Sequence, residues 1–226
     1  MKYILFDIDG TLIDSGGAGT RSLELAFEEV FSIPGAFRNI NMAGKTDMQI
    51  LKEGLKLHSI DRLNGTVPEF FETYIKHLRR NIDNNRGHVK PGIREALESL
   101  NCNNGCILGL LTGNIKEGAT VKLRTFGLDS YFATGAFGDD SEDRNKLLPL
   151  AIEKLYAMNS LRVDFRDCIV IGDTPRDIEC SKPYGALAVA VATGPYPFGV
   201  LKDAGADMVF EDLSDTERFI SSLWRA

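Results

Sequence analysis

Five short stretches of uninterrupted apolar residues constrain this chain most: residues 3–6 (YILF), 106–111 (CILGLL), 168–171 (CIVI), 187–191 (LAVAV) and 208–210 (MVF). A strand with one wet face alternates apolar and polar residues. Continuous apolar runs instead belong to strands buried on both sides, as in a parallel sheet covered by helices. The intervening segments carry helical spacing. After Pro91-Gly92, the residues Ile93, Ala96, Leu97 and Leu100 fall at i, i+3, i+4 and i+7, and Leu148, Ala151, Ile152 and Leu155 repeat the pattern. Pro175 suits a helix N1 position, where a missing N–H does no harm. From residue 88 onward, alternating strand and helix predict a doubly wound, Rossmann-like α/β domain.

Residues 16–86 read differently. Leu23, Ala26, Phe27, Val30 and Phe31 mark one helix. Met48, Leu51 and Leu55 mark a second, with Thr46 or Asp47 as its N-cap. Phe70, Phe71, Tyr74, Ile75 and Leu78 mark a third. No strand pattern appears there. The borders, "DSGGAG" and "NNRGHVKPG", are rich in Gly and Asn and read as hinges. The expected layout is an α/β core of residues 1–15 and 87–226, interrupted after its first strand by a helical domain, 16–86.

In a parallel sheet, ligands bind beyond the carboxyl ends of the strands. Asp7 and Asp9 follow the first run. Thr112, Gly113 and Asn114 follow the second. Gly172, Asp173 and Thr174 follow the third, with Asp177 close behind. Asp7 and Asp9 are two apart, so an extended chain would point both the same way. Together with Asp173 they form a like-charged cluster, which calls for a cation. An all-oxygen ligand set favours a hard one, with Mg²⁺ the usual partner of carboxylates and phosphate. Asp7 is then a candidate nucleophile toward phosphorus. Asp9 is a candidate acid and base, which at neutral pH requires help from its surroundings. Thr112 and the turn after it could hold phosphoryl oxygens. Arg144 and Lys146, in "SEDRNKLLPL", are candidate cations for the remaining charge.

The set "FDIDGTL", "LLTGN" and "IGDTPRDIECSKPYGA" resembles the haloacid dehalogenase-like hydrolase superfamily, over essentially the whole chain. The helical insertion is similar to that superfamily's mobile cap, and the layout to its phosphoglycolate phosphatase-like branch. The resemblance implies an Mg²⁺-dependent transfer through an aspartyl-phosphate. It makes Asp7 nucleophile and metal ligand, and Asp9 acid/base and donor of a backbone carbonyl to the metal. It places Gly10, Thr112, Gly113 and Asn114 around the phosphoryl group, Asp173 on the metal and Asp177 in support. One motif departs from the pattern: the family's usual Lys-Pro is missing. "RNKLLPLA" looks like an Arg-x-x-Leu version, which favours Arg144 over Lys146. Within the superfamily, an acid at position 9 points to phosphate esters and away from carbon–halogen or carbon–phosphorus cleavage.

The implied function is hydrolysis of a small phosphorylated metabolite. A phosphomutase with the same motifs is the alternative, followed by a receiver-type phospho-accepting module. The latter's chain would be about half this length, with its acceptor Asp on a later strand. "AGKT" at 43–46 is not a nucleotide-binding loop, because that pattern needs Gly where Asn39 stands. Lys45 is instead a candidate specificity residue reaching in from the insertion. His58, His77 and His88 lie far from every motif. A net charge of −6 argues against nucleic-acid binding. No apolar stretch reaches membrane-spanning length and no signal peptide is evident. Four cysteines without a zinc or disulfide pattern predict buried, reduced thiols in a cytoplasmic protein, with a monomer as the default state. Trp224 is expected to anchor the last helix.

Overall fold

The computed structural model describes residues 1–61 and 65–225. Its first strand, β1 (Lys2–Phe6), runs into a tight turn and a two-residue strand, β2 (Ile13–Asp14). Three helices follow: α1 (Ala18–Phe31), α2 (Asp47–Leu57) and α3 (Thr66–Asn81). The chain re-enters the α/β part through β3 (His88–Val89), which pairs antiparallel with β2. Next come α4 (Ile93–Asn101), β4 (Cys106–Leu111), α5 (Lys116–Phe126), β5 (Thr134–Ala136) and α6 (Leu147–Asn159). The chain then adds β6 (Cys168–Gly172), α7 (Pro175–Ser181), β7 (Leu187–Val191), α8 (Phe198–Asp203), β8 (Met208–Phe210) and α9 (Thr216–Leu223).

Six strands form one sheet in the order β5-β4-β1-β6-β7-β8, and every pairing is parallel. All five apolar runs are strands of it. Central β1 aligns Phe6 with Leu110 on one side and Ile171 on the other, so three strand ends finish side by side. The sixth strand, β5, carries no apolar run. It is a three-residue edge strand reading TGA, and Gly135 lies so close to β4 that a Cβ there would strike the Leu110 backbone.

Both faces of the sheet are covered. Ile4, Phe6, Ile169 and Ile171 pack with α4 and α9 through Leu97, Leu100, Phe219 and Leu223. Tyr3, Leu5 and Val170 pack with α6 through Leu148, Ala151 and Leu155. Helices α1–α3 close around a core of their own, in which Phe27, Phe37, Leu51, Phe70 and Tyr74 are buried with Ile115 from the start of α5. Thr46 rather than Asp47 caps α2. It accepts from the Gln49 N–H, while the Gln49 side chain accepts from the Thr46 N–H. Among the described residues no helix is long and apolar enough to cross a membrane.

Two expectations need correction. Cys168 and Cys180 are buried free thiols, but Cys102 is exposed and Cys106 only half-buried, because both flank the turn that ends α4. Trp224 is a weaker anchor than expected. It follows α9, is 37% exposed, and lays its ring against Gly105, with the Lys2 ammonium 5.9 Å from the ring centroid.

Candidate active site

The site forms where β1, β4 and β6 end. Asp7 keeps sheet register by donating its N–H to the Ile171 carbonyl at 2.9 Å. The chain then curls. Leu12 N–H bonds back to the Ile8 carbonyl at 2.9 Å, and Gly10 takes φ +84° with its N–H on the Ile13 carbonyl. This turn replaces the extended chain assumed for Asp7 and Asp9, although both carboxylates still reach one cavity. The strand has stopped by then, and the two carboxylates face different partners.

Asp7 is buried beside Arg144, whose Nη2 lies 3.2 Å from Asp7 Oδ1. The same nitrogen pairs with Asp177 Oδ1 and approaches the Leu111 carbonyl at 3.5 Å. Nη1 donates to the Gly44 carbonyl of the insertion at 3.3 Å. Arg144 reaches this position from a 3-10 turn, Arg144–Lys146, whose N-cap Asp143 accepts from the Asn145 N–H. Lys146, on the same turn, is exposed and bonds to none of these groups. Asp177 is fully used. One oxygen takes Arg144, and the other takes Thr174 N–H at 3.0 Å and Thr174 Oγ1 at 2.7 Å, a capping box that starts α7 at Pro175.

Asp173 completes the acidic group. Ligand atoms of Asp7, Asp173 and Asp177 lie within 4.8 Å of one another. Thr11 Oγ1 donates to Asp173 Oδ1 at 3.0 Å, but Oδ2 receives no donor among the described residues. Gly10 and Gly194 flank that oxygen so tightly that a Cβ on either would collide with it. Burial pushes the Asp7 carboxyl up to about 6 against the pull of Arg144, with Asp177 and Asp9 adding to the rise. Burial, then Asp7 and Asp177, hold the Asp173 carboxyl well above the usual carboxylate range. One guanidinium therefore does not balance the group. With Asp177 saturated, Asp7 and Asp173 present the free carboxylate oxygens, a donor set that fits a hard divalent cation.

Asp9 lies in a second network. Its Oδ2 sits 2.5 Å from Lys122 Nζ and 2.8 Å from Asn114 Nδ2. Lys122 also donates to Asn114 Oδ1 at 2.5 Å, and Asn114 Nδ2 reaches Thr112 Oγ1 at 2.9 Å. Lys122 is buried although it is a lysine in mid-helix, and Gly19 of α1 leaves room for its ammonium. Sequence reasoning passed over it. The available signal was its place in the apolar stripe of α5, with Ile115, Ala119, Leu123 and Phe126.

The insertion closes over both networks through its 43–47 segment. Asp47 N–H donates to the Gly113 carbonyl at 2.8 Å, Ile115 N–H donates to Asp47 Oδ2 at 2.8 Å, and Thr46 Oγ1 donates to the Glu142 carbonyl at 2.9 Å. Gly113 must be glycine for this approach, since a Cβ would strike the Lys45 carbonyl. Lys45 itself pairs with Glu53 and lines the cavity between the two parts. That cavity, about 460 Å³, is also bounded by Asp7, Asp9, Asn114, Lys122, Arg144 and Asp173. The structure thus brings Asp7, Asp9, Gly10, Gly113, Asn114, Arg144, Asp173 and Lys45 to one cavity, with Thr112 and Asp177 behind its wall. The histidines lie elsewhere. His58 bonds the Ala36 carbonyl, His77 pairs with Glu29, and His88 sits in β3.

A family model described as haloacid dehalogenase-like hydrolase matches residues 4–191. The chain belongs to this family. The pyrophosphatase PpaX of Halalkalibacterium halodurans is 30% identical to this haloacid dehalogenase-like hydrolase, over 95% of this chain and 94% of the relative. A phosphoglycolate phosphatase of Agrobacterium fabrum is 24% identical over 93% of this chain and 88% of its own. Among solved structures, a hydrolase from Pseudomonas syringae superposes with a TM-score of 0.75 at 24% identity, covering 98% and 99% of the two chains. That likeness extends the family fold to the helical insertion, which most of α1–α3 forms in this chain.

Proposed function

We propose that this enzyme is an Mg²⁺-dependent phosphatase acting on a small phosphorylated metabolite through an aspartyl-phosphate on Asp7. The observation that carries the reading is the placement of a buried Asp7 carboxylate between Arg144 and the Thr112–Asn114 turn, beside the donor-free oxygen of Asp173. Residues 1–15 and 87–226 act as the catalytic core and residues 16–86 as the cap.

In the first half-reaction an Asp7 oxygen forms a bond to phosphorus as the bond to the leaving oxygen breaks. Arg144 and the turn N–H groups stabilise the equatorial oxygens, and Asp9 gives a proton to the leaving oxygen. In the second, Asp9 takes a proton from water, which attacks phosphorus and releases phosphate and free Asp7. Asp7, Asp173 and the Asp9 backbone carbonyl would hold Mg²⁺, which supplies charge neutralisation between carboxylates and phosphoryl group. Phosphate monoesters need enhancements of up to ~10²¹-fold, so such preorganised charge is the main resource. The 43–47 segment, sealed on Gly113, keeps bulk water from the reacting group.

The test is phosphate release from an aryl phosphate with Mg²⁺ or with chelator. Mg²⁺-dependent release that Asp7→Asn abolishes is expected. Release that survives in Asp7→Asn would refute the covalent route. Transfer to a second sugar hydroxyl in place of water would identify a phosphomutase.

A further inference from the structure

The cavity reaches from the strand ends to the helices of the insertion. At the core end stand Asp7, Asp173 and Arg144. At the other end, under α1, α2 and α3, the wall is Leu23, Asp47, Ile50 and Tyr74. A leaving group bound with its phosphoryl group at Asp7 extends toward this second end.

No cation there is free to meet an anion. Arg144 belongs to the core end. The other cations lining the cavity among the described residues are three lysines, each committed. Lys45 pairs with Glu53. Lys90 donates to the Thr193 carbonyl at 2.8 Å and lies 3.6 Å from Asp14. Lys122 is held at 2.5 Å by both Asp9 and Asn114.

Acceptors, by contrast, are spare. Asp47 is buried, and only its Oδ2 has a donor, the Ile115 N–H. Its Oδ1 takes no hydrogen bond. Burial pushes this carboxyl up to about 6, with Lys122 and the Ile115 N–H opposing the rise, so the carboxylate is short of donors. Tyr74 lines the same wall with a buried hydroxyl that has no partner. The Tyr74 hydroxyl is buried and unpaired, which is costly unless a ligand answers it, and on the same wall Asp47 Oδ1 has no donor among the described residues.

Resting on the phosphatase reading, we infer that the preferred substrate is a phosphomonoester whose leaving group carries hydrogen-bond donors and no second anionic group. Asp47 Oδ1 accepts from a hydroxyl or an ammonium of that group. A second carboxylate or phosphate would instead face Asp47 and Asp9 with no free cation to offset them. This separates the chain from what the names of its pyrophosphatase and phosphoglycolate phosphatase relatives say of those proteins.

The experiment compares kcat/KM, with saturating Mg²⁺ at neutral pH, for glycerol 3-phosphate, phosphoethanolamine, phosphoglycolate, pyrophosphate and an aryl phosphate. The expected result is one or both donor-bearing esters ahead of phosphoglycolate and pyrophosphate by about tenfold or more. Which of the two leads tells hydroxyl from ammonium. Asp47→Asn, which keeps an acceptor for the Ile115 N–H, should shrink that ratio by about tenfold. A preference for phosphoglycolate or pyrophosphate, or a ratio unchanged in Asp47→Asn, would overturn the inference while leaving the phosphatase reading intact. No release from any ester, the aryl phosphate included, sinks the phosphatase reading and this inference with it.

Discussion

Two carboxylates two residues apart in the chain live in contrasting electrostatic settings. Asp7 is 7% exposed and shares one guanidinium with Asp177, beside an Asp173 that draws on the same positive charge. Asp9 is 40% exposed and pairs with an ammonium that Asn114 steadies and whose charge also acts on buried Asp47. The Arg144 centre gathers three carboxylates around one guanidinium, and the Lys122 centre two around one ammonium. The side-chain types suit the tasks. A planar guanidinium can reach two carboxylates and two carbonyls at once, whereas an ammonium is a compact point charge that suits one carboxylate and one amide. The lesson is that two carboxylates two residues apart can take different partners while still feeling each other's charge, provided the strand ends between them.

The comparison can be broken most severely at the reacting atom. Asp7→Asn should lower kcat on an aryl phosphate by roughly 10⁴-fold or more without unfolding the protein, as circular dichroism would verify. Next in size is Arg144→Ala, which strands buried Asp7 and Asp177. Urea denaturation should show a loss of about 3–5 kcal/mol, the range for breaking a buried pair on one side. Because the Arg144 centre lacks positive charge, Mg²⁺ should stabilise the wild-type protein by about 2.7 kcal/mol at a hundredfold excess over Kd, and Asp173→Asn should lose most of that gain. An equal gain in Asp173→Asn would remove Asp173 from the metal site.

The Lys122 centre should give less. Lys122→Met leaves Asp9 able to turn to solvent, so the stability cost should be about 1–2 kcal/mol, below that of Arg144→Ala in the same assay. A larger cost would mean that Lys122 is chiefly a structural post between α5 and α1. The last effect has the opposite sign. The Asp47 carboxyl stands at about 6 in the fold against an ordinary 3.8, so the folded state holds its proton more tightly. Stability therefore falls as pH rises from about 4 to about 6 and stays lower above that window. Asp47→Asn should raise Tm at pH 7 and leave it unchanged at pH 4. A gain in stability combined with lost discrimination between esters marks a side chain kept for its ligand.

Much of this was legible in the chain itself. Every apolar run became a strand because parallel strands leave no wet face to disguise them. The three helices of the insertion followed from their stripes, and the acidic strand ends from the topology they imply. What escaped has physical causes. Strand β5 reads TGA and lies at an edge, where pairing rather than side-chain burial defines it. The parting of Asp7 from Asp9 depends on where β1 stops, and a boundary is the least periodic feature of a strand. Lys122 interrupts an apolar stripe, and its meaning comes only from Asp9, 113 residues away. The partner of Asp47 is likewise remote, the N–H of Ile115.

The short ladder of β2 with β3 has a consequence of another kind. Ile13 stands opposite Val89 and Asp14 opposite His88, and Lys90 N–H bonds the Leu12 carbonyl at 2.9 Å. The chain thus leaves the sheet and returns to it through one narrow doorway. Between those two threads, evolution can lengthen, trim or exchange the insertion without rethreading a single strand of the sheet. The wall of Leu23, Asp47, Ile50 and Tyr74 can therefore be inherited separately from the acidic strand ends.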